Sequence, residues 1–160
     1  MSTFNGLPAH PLLVHFLVVL PPALALLLIT CAVWPAARER FVVTLLPLSL
    51  VILILTPLTT SAGNALAEVF PPELIAEHKE LGETMIYVSA SLVLVSALVT
   101  AVYMLGKQRK LNAAIPIAVA AITIVVGIAA CYQTYRIGDS GARAVWGGTT
   151  LSLGPAVTGP

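Results

Sequence analysis

Long apolar runs separated by short charged clusters dominate the chain. No Asp, Glu, Lys or Arg occurs from Pro11 to Trp34, Phe41 to Ala67, Thr84 to Gly106 or Leu111 to Tyr135. Crossing ~30 Å of hydrocarbon takes roughly 20 apolar residues at 1.5 Å rise each. Each run meets that length. Backbone polar groups in lipid must be satisfied within the segment, so each run is expected to be helical. The short alternating strands of a membrane barrel are absent. The pattern predicts an all-α fold, an integral membrane four-helix bundle, with spans at about 11–34, 41–62, 84–106 and 112–135. The bundle is expected to fill residues 1–146, and 147–160 to form an extended or mobile tail.

The connections differ in length. Pro35–Arg40 is expected to link the first two helices, and Lys107–Lys110 the last two. Gly63–Glu83 is longer and contains Pro71 and Pro72. Proline suits a helix first turn. The third helix is therefore expected to start near Pro72, as an amphipathic extension with Glu73, Glu77 and Glu80, and to run unbroken into the membrane. Pro21 and Pro22 are expected to kink the first helix near the midplane.

Composition narrows the class. Hydrophobic residues make up 58% of the 160 residues and charged residues 9%, against about 25% charged in a soluble domain. Such a chain cannot cover a water-facing surface. A nucleic-acid binder is also excluded, because it needs a basic stripe and the net charge is only +1. The expected partner is the lipid bilayer. A redox membrane complex or a second copy of the chain is a further candidate.

Charge placement predicts orientation. The short links hold Arg38, Arg40, Lys107, Arg109 and Lys110; the other side holds Lys79, Arg136 and Arg143. Lys and Arg concentrate on the cytoplasmic side. The chain is thus expected in a bacterial inner membrane with both termini extracytoplasmic. The first run lacks a basic start and exceeds a signal-peptide core in length, so it is read as a span. Cys31 and Cys131 fall near opposite ends of antiparallel helices, beyond the ~7 Å Cα reach of a disulfide. Two free, buried thiols are expected.

The polar chemistry gathers on the side away from the short links. His10 precedes Pro11, His15 lies in the first span, His78 lies near the start of the third helix and Asp139 follows the fourth span. An ionisable residue within a span is a functional candidate. On one helix, His10 and His15 point about 140° apart. Pro11 at a first turn would leave His10 outside the helix and free to fold over the bundle mouth. Imidazole suits Cu, Fe and Zn, and His10, His15, His78 and Asp139 would make a three-nitrogen, one-oxygen set for a single transition-metal ion. Haem b needs two axial histidines. His15 and His78, facing one another, would be that pair, and Gly82 would leave room for the macrocycle or pack closely on a helix. Thr59, Thr60, Ser61, Asn64, Gln133 and Thr134 gather at the same end, as second-layer partners or interhelical hydrogen bonds. No charged residue sits at the midplane, which disfavours a proton pump.

The opening His10-Pro11-Leu12-Leu13-Val14-His15-Phe16, with Pro21, resembles that of a bacterial family of predicted membrane proteins, domain of unknown function two-two-three-one. Glu77-His78, Gly138-Asp139-Ser140-Gly141-Ala142 and Trp146 resemble its later motifs. The resemblance implies four helices with histidines at their outer ends. Members joined to or beside redox modules imply electron transfer or haem. Asp139 stands where relatives are expected to carry His, so a fourth imidazole is not implied here. The functional expectation is a His-rich outer site for haem b or a transition-metal ion, in electron transfer or metal handling. The alternatives are a non-catalytic subunit of a larger membrane complex and a small transporter.

Overall fold

A computed structural model describes residues 3–4 and 6–147. The chain opens with a two-residue antiparallel ladder, β1 (Thr3–Phe4) and β2 (Leu7–Pro8), in register Thr3 to Pro8 and Phe4 to Leu7. Gly6 turns the chain at φ 79°, a conformation open to glycine. Five helices follow: α1 (Ala9–Val33), α2 (Pro35–Ala67), α3 (Pro72–Glu83), α4 (Met85–Gln108) and α5 (Ala114–Trp146). Among the described residues four segments, 9–33, 35–67, 72–108 and 114–146, are long and apolar enough to cross a membrane. The fold is an all-α membrane four-helix bundle. Its ring runs α1, α2, α4, α5 and back to α1, while α3 lies mainly against α5.

The first connection is tighter than the charge pattern suggested, and the last, Arg109–Ala113, starts two residues later than expected and is one residue longer. Trp34 alone separates α1 from α2. The residue before a proline is pushed towards extended backbone, and Trp34 sits at φ −117°, ψ 107°. Pro35 then starts α2, so Pro35–Arg40 is helix rather than link. At the other short connection the Ala114 N–H donates to Asn112 Oδ1 at 2.9 Å. Helix α2 runs to Ala67 and α5 to Trp146, beyond the expected ends at 62 and 135. Eleven more residues carry α5 about 16 Å past its apolar run. The tail expected from 147 falls, beyond Gly147, outside the described residues.

The expected unbroken third helix is instead interrupted at Thr84. Its hydroxyl donates to the Leu81 carbonyl at 2.6 Å, and its N–H reaches the same carbonyl at 3.1 Å. Thr84 keeps right-handed helical angles, so the joint is one tight turn. Helix α1 continues through Pro21 and Pro22, and α2 through Pro47 and Pro57.

Between Val42 and Thr59 the buried positions on α2 are Val42, Leu45, Ser49, Ile52, Thr56 and Thr59, alternating steps of three and four, with Ala37 and Ala62 buried beyond either end. That is the 3.5-residue seam of left-handed packing. Leu24 and Leu28 of α1, Leu45 and Ile52 of α2, and Leu92 of α4 are fully enclosed. Hydroxyl residues share the core: Thr56 Oγ1 and Ser89 Oγ meet at 2.6 Å across α2 and α4. Cys31 is buried and Cys131 half-buried; both are free.

Candidate functional site

The long helices end on one side in a polar cap built by α1, α2, α3 and α5. His10 is held in the first turn of α1, because the helix begins at Ala9. It is therefore a fixed residue, not the flexible one that Pro11 suggested. Its Nδ1 lies 3.0 Å from the Thr59 carbonyl on α2. Gly63, one turn further along α2, provides the seat. A Cβ there would come within 2.8 Å of His10 Cε1.

His78 mirrors this arrangement from α3. Its Nδ1 lies 3.1 Å from the Ile137 carbonyl and 3.2 Å from Ser140 Oγ. Ser140 donates its own proton to that carbonyl at 2.9 Å. Gly141 is the seat on α5, where a Cβ would stand 3.0 Å from His78 Cε1. The two imidazole centroids are 6.2 Å apart and the ring planes meet at 74°.

A carbonyl oxygen only accepts. Each Nδ1 must therefore carry the proton, which leaves Nε2 with a free lone pair on both rings. Histidines that bind metals are commonly oriented by just such a carbonyl on the other ring nitrogen. Half-burial pushes the His78 imidazole below its ordinary pKa range; the Ile137 hydrogen bond opposes that shift and His10 reinforces it.

The residues picked out in the sequence divide into two groups. His10 and His78 come together. His15 does not join them: it is exposed, and its Nδ1 donates to the Pro11 carbonyl one turn back. The 140° between His10 and His15 is the reason, since turning one ring inward turns the other out. The expected His15–His78 facing pair is thus replaced by His10–His78. Asp139 does not close the mouth over the rings. It pairs with Arg143 at 2.7 Å, and Arg143 also reaches Glu77 at 3.6 Å. This exposed cluster bridges α3 and α5 beside His78. Among the described residues no group of three or more His, Cys, Asp or Glu is placed to hold a metal ion. The four residues are accordingly not gathered in one place; His10 and His78 alone are.

Gly82 packs against nothing, since a Cβ there would meet open space. Close approach falls to Gly63 and Gly141 instead. Gly141 lies in the quoted Gly138–Ala142 motif, which thus contained both the glycine seat and Ser140. Gly63 and the Thr59 carbonyl carried no such signal, because a backbone acceptor is chosen by packing.

Together these features define a helical multi-pass membrane protein with a paired-imidazole cap. The chain belongs to the predicted membrane protein family called domain of unknown function 2231, whose model matches residues 6–151. No curated protein and no solved structure matches the chain.

Proposed function

We propose that the His10–His78 pair holds one transition-metal centre, either a Cu, Fe or Zn ion or the iron of haem b, in electron transfer or metal handling. The observation that carries this reading is the pair itself: two imidazoles 6.2 Å apart, each with Nδ1 engaged by a carbonyl. Metal–nitrogen bonds are ~2 Å, so a shared centre needs the two Nε2 atoms no more than about 4 Å apart, a spacing this ring separation permits. Haem b would take the two imidazoles as its iron ligands. For a bare ion, two positions remain for water, a second copy or a redox partner. The cap faces the extracytoplasmic side of a bacterial inner membrane, and both termini lie there, on the Lys and Arg excess of the opposite face.

An absorption spectrum and elemental analysis of detergent-purified protein test the proposal. A Soret band identifies haem. Near-stoichiometric Cu, Fe or Zn without that band identifies a bare ion. If neither is found after metal reconstitution, the proposal fails.

A second reading is favoured by the two glycine seats. Each ring sits against the helix that the other end of its side chain does not belong to, so the pair also works as a latch between helices. In a non-catalytic subunit of a larger complex that latch would be its whole purpose.

A further inference from the structure

A shallow lateral groove of about 550 Å³ lies between α4 and α5 near the histidine side, lined by neither imidazole. Val88, Val125, Val126, Ala129 and Ala130 line its apolar part. Its outer end is polar: the Gln133 amide donates to Thr84 Oγ1 at 2.7 Å, and Tyr87 and Tyr132 stand exposed at its rim. One turn beyond, the Arg136 guanidinium lies over the Tyr132 ring, 6.0 Å from its centroid. Among the described residues Arg136 has no carboxylate partner; the ion pairs there use Arg143. Arg136 is also the first charge after the apolar run of α5, which places it at headgroup depth.

We propose that this groove binds one glycerophospholipid, with an acyl chain against Val125 and Ala129 and the phosphate on Arg136. Charge and length both select this occupant. The unpaired cation sits where lipid phosphates lie, and guanidinium is suited to bidentate phosphate contact. Along α5 the groove runs from Val125 to Gln133, about 12 Å at helical rise. That is close to half of a ~30 Å core, the depth one lipid chain reaches from its headgroup. The tyrosines at the rim suit the same interface, with apolar bodies and polar tips.

Native mass spectrometry of the full chain in detergent tests this, with dioleoyl phosphatidylglycerol as probe and dioleoylglycerol as its phosphate-free counterpart. The wild type should retain one phosphatidylglycerol, with dioleoylglycerol bound about tenfold more weakly, the loss expected for one charge-assisted contact. Arg136→Gln should weaken phosphatidylglycerol by a similar factor. Val125→Trp should block the groove; Val125 is 67% exposed, so this change leaves the core intact. Circular dichroism checks the helices of both variants, and if Val125→Trp misfolds, Arg136→Gln decides alone. Equal affinity for the two probes, unchanged binding in Arg136→Gln, or displacement of the lipid by an isoprenoid quinone at equimolar concentration would each overturn the proposal.

Discussion

At the residue scale, the cap rests on two imidazoles that each combine a carbonyl with a glycine. Gly63→Ala would drive a methyl into His10, and Gly141→Ala into His78. Each change should displace its ring and forfeit its carbonyl hydrogen bond, worth about 1 kcal/mol. Thermal unfolding in detergent should register both losses, while Gly82→Ala, facing open space, should cost nothing or stabilise α3 slightly. The His78 shift sets a pH dependence. Its folded-state pKa lies below the unfolded value of about 6.5, so the unfolded chain binds more protons in the window between the two. Stability should therefore be full above about pH 6.5 and fall as pH drops through that window. His10 on α1 faces the ring, and the Glu77–Arg143–Asp139 cluster flanks it on α3 and α5. Unfolding midpoints measured from pH 8 to pH 5, set beside His78→Asn, should show the slope lost in the variant. An unchanged slope would assign it to other groups.

At the element scale, α3 stands apart because none of its residues is buried. It is held by His78, by the Glu77–Arg143 contact and by the joint at Thr84. The Glu77–Arg143 pair is exposed and adds little. His78→Ala should thus loosen α3 specifically, seen as faster amide exchange across 72–83 with α4 unaffected. Within the bundle, hydroxyls mark the inner faces. Thr56 and Ser89 bond across α2 and α4; antiparallel register then sets Ser49 at the depth of Ser96, seven residues along each helix. Ser96 Oγ is buried without a hydrogen-bond partner. Ser89→Ala should cost about 0.6 kcal/mol, typical of an interhelical bond in a membrane. Ser96→Ala should be neutral or stabilising, because it removes an unsatisfied buried group. Reversible unfolding of the two variants gives the comparison.

Charge-free runs made the four spans readable, because lipid excludes charge whatever the packing. Faces were harder to read. A span is apolar all round, so hydropathy does not distinguish Leu24, fully enclosed, from Leu26, 63% exposed. The small hydroxyls on a 3.5-residue spacing carried that information. The same limit explains the histidines. Their gathering at one end followed from topology, but which of His10 and His15 turned inward depended on where α1 began. Pro11 does suit a helix first turn; the helix simply starts two residues earlier, at Ala9.

For the whole molecule, the opposite face collects Arg38, Arg40, Lys107, Arg109 and Lys110 at the ends of α2 and α4. With both native cysteines replaced, a single Cys at Ser2 should react with an impermeant maleimide in intact spheroplasts. Labelling only after lysis would reverse the orientation. In the proposed function His10 and His78, and not His15, hold the metal centre. The direct measurement is metal and haem content per chain in His10→Ala, His78→Ala and His15→Ala, purified alongside the wild type. The first two should lose the centre and the third should keep it. A centre retained without His10 or His78, or lost only without His15, would contradict it.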